Sequence, residues 1–149
     1  DDARAGRGEM GGNNSGWYVK GLRIFCGFPR HAKGAWCAIF GSAKIKQGYL
    51  SFKMDPPFAL SRGAYRLVMN IGESERGEFI TVPEPGFACW KRRGWTALWR
   101  KAHFRIMTGY DVETDTMHYV AGNENALCRV GSLKHGAWRK DLIKMVTIR

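Results

Sequence analysis

The residues able to act as acid, base or nucleophile in this 149-residue chain are four histidines, four cysteines and thirteen carboxylates. His31, His103, His118 and His135 stand in no HExxH or comparable metal-binding spacing, and Cys26, Cys37, Cys89 and Cys128 form no CxxC pair. There is no GxSxG, no P-loop and no GxGxxG, so neither a metal nor a cofactor is expected. A cysteine nucleophile served by a histidine base is conceivable, but no local signature supports it. The enzyme reading that the residue types allow is a metal-independent ribonuclease. That chemistry needs a base for the 2′-hydroxyl, an acid for the leaving oxygen and a cation on the phosphate. Glu78 and His118, both on expected strands, fill the proton roles, and Arg105 supplies the charge. This trio rests on residue type rather than spacing. The ordinary alternative is Glu78 on a solvated strand face and His118 as a half-buried, hydrogen-bonded residue.

A second cluster is denser. FACWKRRGWTALWRKAHFR, residues 87–105, holds three tryptophans, two phenylalanines and six Lys/Arg, inside an acid-free run from Pro85 to Tyr110. Trp95, Leu98, Trp99 and Ala102 recur at i, i+3, i+4 and i+7, which predicts a helix over 95–102 with those residues inward and Arg100 and Lys101 outward. Trp90 and the Lys91-Arg92-Arg93 turn before it read as a surface loop. An exposed indole beside cations can stack a base while the cations hold phosphates. Trp90, Lys91, Arg92, Arg93, Arg100 and Lys101 are therefore the expected nucleic-acid contacts. The same indole–cation pair also suits a bilayer headgroup level.

Charge points the same way. The formal net charge is +11, and residues 85–149 carry 12 basic against 5 acidic side chains, compared with 12 against 8 before them. A field of that sign attracts polyanions: RNA, anionic glycans or an anionic membrane face. The leading expectation is a basic β-rich protein that binds RNA or single-stranded nucleic acid. The alternatives are a secreted toxin, effector or defence protein acting on an anionic cell surface, and the ribonuclease. No apolar run reaches the roughly 20 residues of a membrane span.

The elements that would position these residues read mostly as strands between turns. Residues 1–15 form a Gly-rich disordered tail, and 16–149 a single globular domain. Strands are expected at 17–28, alternating from Leu22, and at 35–40, 49–54 and 64–71, with 77–82 pairing back onto 64–71. Further strands are expected at 103–110, 116–122 and 126–130, and 141–149 closes the sheet or forms a helix with Trp138, Leu142 and Met145 on one face. The expected fold is α+β and β-rich: an antiparallel sheet or partly closed barrel with one or two short helices. A hairpin centred on residues 30–33 would set Cys26 directly opposite Cys37, within disulfide reach, leaving Cys89 to pair with Cys128. Two disulfides would imply secretion or another oxidising compartment; four buried thiols are the alternative.

Overall fold

The computed structural model describes residues 2, 4–8, 16–31, 36–91 and 102–149. Three helices come first: α1 (Trp17–Phe25), α2 (Trp36–Ser51) and α3 (Ala64–Gly72). Six strands follow: β1 (Gly77–Ile80), β2 (Gly86–Lys91), β3 (Ala102–Asp111), β4 (Thr116–Glu124), β5 (Leu127–Leu133) and β6 (Leu142–Ile148). They form one antiparallel sheet in the order β1-β6-β2-β3-β4-β5, open at both edges rather than closed into a barrel. The fold is α+β, as the sequence predicts.

Strand alternation splits the core in two. Cys89, Phe104 and Val146 point to the helical face, where they meet Cys37, Ala38, Leu67, Val68 and Ile71. Their neighbours Ala88, Trp90, Met107 and Met145 point the other way and are closed by Trp138 from the 3₁₀ turn Ala137–Arg139. Around α1, Tyr18 and Val19 pack with Trp36, Ile39, Phe40 and Cys128. Two glycines let α2 lie unusually close to the sheet. A Cβ on Gly122 of β4 would meet Phe40 Cβ and Trp36 Cζ3 at 2.6 Å, and one on Gly41 of α2 would meet the Phe104 ring at 2.1 Å.

Several sequence expectations are corrected. Residues 17–25, 36–51 and 64–72 are helical, not extended, and β1 pairs with β6 rather than with the segment before it. In α3, Ala64, Leu67, Val68 and Ile71 are all buried, one face of a helix at i, i+3, i+4 and i+7. α2 is buried on nearly every side over its first half, so its apolar run carries no helical period to read. The hairpin that would oppose Cys26 to Cys37 is absent, because Cys26 caps α1 and Cys37 lies in α2. All four cysteines are free and buried. The strands read at 103–110, 116–122 and 126–130 are present, and 142–148 is a strand rather than a helix. Within the expected tail, Gly8 bridges Leu127, and the Cys128 N–H donates to the Arg7 carbonyl at 2.8 Å. The expected helix at 95–102 lies outside the described residues except for Ala102, which opens β3. Among the described residues no helix is long and apolar enough to cross a membrane.

Candidate active site

α2 begins at Trp36, so Cys37 sits in its first turn. Backbone N–H groups there have no intrahelical acceptor and carry the positive end of the helix dipole, a setting that favours thiolate. The His103 side chain and the Ala38 and Phe104 amides all act on the sulfur in favour of thiolate. Burial, the largest single influence, opposes ionisation of Cys37. The His103 hydrogen bond and charge, with the two amides, outweigh it and hold the thiol below its ordinary value.

His103 comes from β3, where it pairs with Trp90 of β2. Its Nε2 lies 2.9 Å from Glu124 Oε1 at the end of β4. An imidazole held by a carboxylate and acting on a cysteine is the division of labour that orients a base between an acid and a nucleophile. Burial pulls the imidazole down, but hydrogen bonds and charges from Cys37 and Glu124 raise it to about 9. Burial likewise pushes the Glu124 carboxyl up, while His103 and Arg105 hold it at about 2. The three groups shift in a matched sense: Cys37 toward thiolate, His103 toward imidazolium and Glu124 toward carboxylate.

Arg105 fixes the outer end. Its Nε lies 2.9 Å from the same Glu124 oxygen, and its guanidinium sits over two rings, 4.8 Å from the Trp90 centroid and 4.5 Å from that of Tyr119. Trp90 is itself anchored, donating from Nε1 to the Trp138 carbonyl at 2.7 Å. Glu124 is aimed by backbone irregularity. The β4–β5 register shifts between Ala121 and Glu124, Asn123 has φ 64°, and the turn Asn125-Ala126 that follows has φ 52° and 66°. A bulge of this kind re-aims a strand side chain. The cluster opens on one side, where the His103 and Glu124 side chains keep 18% and 23% of their surface.

Of the ribonuclease trio, only Arg105 belongs to this cluster. Glu78 is exposed on edge strand β1, paired with Arg149 at 2.7 Å, and His118 is exposed on β4. β6, β2 and β3 lie between their strands, a span of roughly 19 Å at the usual strand spacing, so the trio does not converge. Trp90, expected as an exposed stacking platform, is 3% exposed in the sheet core. The Arg105 guanidinium over its ring and the buried cluster around it leave it no solvent-open face for a base. Lys91 ends β2; its side chain, and Arg92, Arg93, Arg100 and Lys101 as a whole, lie outside the described residues. The expected disulfides are absent: besides Cys37, Cys26 Sγ lies 3.9 Å from the Ile39 carbonyl, Cys128 Sγ lies 3.5 Å from the Tyr18 hydroxyl, and Cys89 is buried beside Cys37 in the core.

Sequence reasoning missed Cys37, His103 and Glu124 as a group because they lie far apart along the chain. Only a cysteine opening an apolar run and a histidine opening a strand were visible. Among the described residues no group of three or more His, Cys, Asp or Glu could hold a metal ion. No family model matches the chain, and no curated protein and no solved structure is significantly similar to it.

Proposed function

We propose that the protein is a cysteine-dependent acyl hydrolase, cleaving an amide or ester through a thioester intermediate. The observation that carries this reading is the His103–Glu124 pair at 2.9 Å acting on Cys37, which lies in the first turn of α2. Nucleophile, base and orienting acid in this order recur on unrelated folds and are recognised by geometry rather than sequence position.

The chemistry follows from the charges. Cys37 Sγ attacks the carbonyl carbon, and the electron pair moves to the carbonyl oxygen. The positive end of the α2 dipole, at its first turn, stabilises that oxyanion. As the tetrahedral species collapses, His103 gives its proton to the departing amine or alcohol, and the acyl group stays on sulfur. Neutral His103 then takes a proton from water, the hydroxide attacks the thioester, and the acid leaves with the Cys37 thiolate restored and His103 protonated. Glu124, held by Arg105, keeps the ring oriented and its positive form favoured.

The +11 charge favours a scissile bond carried on an anionic polymer or surface. This joins the hydrolase to the expectation of a protein acting on an anionic cell surface. RNA binding through residues 91–93, 100 and 101 loses Trp90 as its platform and otherwise rests on residues outside the description.

The test is direct. Purified protein is treated with iodoacetamide at pH 6.5 and the modified cysteine located by mass spectrometry, and p-nitrophenyl acetate turnover is followed in parent and Cys37→Ala. Cys37 should alkylate ahead of Cys26, Cys89 and Cys128, and Cys37→Ala should abolish turnover. Equal, slow modification of all four thiols, or turnover surviving in Cys37→Ala, would overturn the assignment.

A further inference from the structure

From Met10 to Met54 the chain has no Asp or Glu, while Lys20, Arg23, Arg30, Lys33, Lys44, Lys46 and Lys53 fall within it. This 45-residue run includes all of α1 and α2. It also holds six of the ten large apolar side chains that are exposed among the described residues: Trp17, Ile24, Phe25, Leu50, Phe52 and Met54. Solvated surfaces of basic proteins usually mix cations with acids and small polar groups. Here the outer face of one layer mixes cations with large apolar groups, and its described uncharged polar side chains are few, Gln47 and Ser51 among them.

The arrangement on α1 is ordered. Trp17, Gly21, Ile24 and Phe25 fall at i, i+4, i+7 and i+8, one stripe along the helix, with Lys20 beside it. Trp17 is 63% and Ile24 60% exposed. Gly21 between them has nothing within 4 Å of its would-be Cβ, so the stripe is open to the outside along its whole length. The opposite face of the same helix buries Tyr18, Val19 and Arg23. The stripe continues onto α2. Lys46 Nζ lies 5.3 Å from the Phe25 ring centroid and donates to the Phe25 carbonyl at 2.8 Å, and exposed Leu50 stands one turn beyond Lys46. At the other end the Arg7 guanidinium lies 6.0 Å from the Trp17 ring.

We infer that this α1–α2 face is a docking surface for an anionic lipid bilayer. An indole and aliphatic side chains flanked by Lys and Arg match the headgroup–acyl boundary, where the rings and aliphatics enter and the amines meet lipid phosphate. Charge complementarity selects this occupant over a second copy. Two such faces would bring together Lys20, Lys46 and Lys53 of each copy, with Asp2, already paired with Arg7 and Lys44, as the one acid described at the face, whereas anionic headgroups neutralise the remaining cations. The inference does not depend on the hydrolase reading: the face is built from α1 and the outer side of α2, and Cys37 is buried beneath it.

The experiment uses the whole chain with sucrose-loaded vesicles of phosphatidylcholine, alone or with an equal part of phosphatidylglycerol, pelleted at 50 and 300 mM salt. Binding is expected only to the anionic vesicles and to weaken with salt. Trp17→Ala combined with Ile24→Ser should weaken it at least tenfold, in line with losing roughly 0.8 kcal/mol per buried CH₂. Lys20→Gln should weaken it by a few-fold at low salt only. Cys37→Ala should bind as the parent does, which separates this test from the activity assay. Absence of binding to anionic vesicles at 50 mM salt overturns the proposal. Binding that is indifferent to Trp17→Ala/Ile24→Ser also overturns it, since that is charge adhesion alone. So does a parent that is dimeric in solution and becomes monomeric in the double variant, because a second copy then covers the face.

Discussion

Replacing Glu124 by Gln isolates the electrostatic part of the proposed site. The amide keeps an acceptor oxygen near His103 Nε2 but removes the charge that lies 2.9 Å from both that nitrogen and Arg105 Nε. An opposite charge at such range moves a pKa by about 1–3 units, each unit worth about 1.4 kcal/mol. Burial already pulls His103 down, and Cys37 remains as its other support, so loss of the carboxylate should lower the imidazole from about 9 by about one to two units. The sign of the rate effect follows. Hydrolysis needs thiolate and imidazolium together, so kcat/KM of the parent should rise with pH through the lowered Cys37 value and fall near pH 9 as His103 loses its proton. In Glu124→Gln the alkaline limb should move down into the pH 7–8 range, and kcat/KM at pH 8.5 should drop about three- to twenty-fivefold, with less loss at pH 6.5. The assay is p-nitrophenyl acetate turnover from pH 5 to 10, with the iodoacetamide rate measured in parallel. An alkaline limb that stays near 9 in the variant, or a parent that alkylates with the pH dependence of an ordinary thiol, would refute the ion-pair series.

Four further outcomes are expected. Arg105→Met removes the charge shared with Glu124 while keeping much of the stem between Trp90 and Tyr119; it should move the alkaline limb in the same direction as Glu124→Gln, and Arg105→Lys should restore part of it. Gly122→Ala should lower stability by about 1–3 kcal/mol in denaturant titration, because its Cβ would meet Phe40 and Trp36 at 2.6 Å and push α2 from the sheet. Ala126→Gly should raise stability by up to about 1 kcal/mol, since Ala126 holds φ 66° in the β4–β5 turn and glycine adopts that conformation without steric cost. Acid should destabilise the fold through Glu124: its folded value of about 2 lies below the ordinary 4.5, so the stability it contributes is complete above 4.5 and is lost as pH falls toward 2. Glu124→Gln should flatten the acid limb of a thermal-melting profile over that window.

The sheet was readable where the structure obeys local rules. β3 and β4 alternate around a turn rich in Asp and Thr, and both elements fall where the pattern places them. The helices were not, for two different reasons. α2 is wedged between α1, α3 and the sheet and is apolar on every side over its first half, so no period marks it; tertiary burial overrides pattern there. In α3 the helical spacing of Ala64, Leu67, Val68 and Ile71 was present, but a short β-branched and apolar run satisfies a strand template equally well. The same ambiguity hid the site. Read as a strand, the segment holding Cys37 makes it a hairpin partner for Cys26; read as a helix, it makes Cys37 a first-turn residue at the positive end of the helix dipole. One misread element thus turned a candidate nucleophile into a candidate disulfide.

The aromatic-basic stretch misled in a more instructive way. Trp90 and Arg105 do form a cation–aromatic pair, but inside the protein: the indole is a wall and the guanidinium a clamp on Glu124. A Lys/Arg-rich aromatic segment is ordinarily credited to a ligand because its charges have no visible partner along the chain. Here the partner, Glu124, sits nineteen residues from Arg105 and is turned to face it by a bulge with Asn123 at φ 64°. Placing that carboxylate costs local backbone strain of order 1 kcal/mol or more. It converts a surplus cation into a fixed charge that holds the acid, and through it the imidazole, in one orientation. Strain spent at a strand end is repaid if reaction requires the ring to be already aimed at the thiol, since preorganised charges cost no reorganisation when the bond breaks. Relaxing the bulge by deleting Asn123 should therefore cost more in kcat than in folding stability. A variant that is destabilised yet fully active would show that the irregular strand end serves the fold alone.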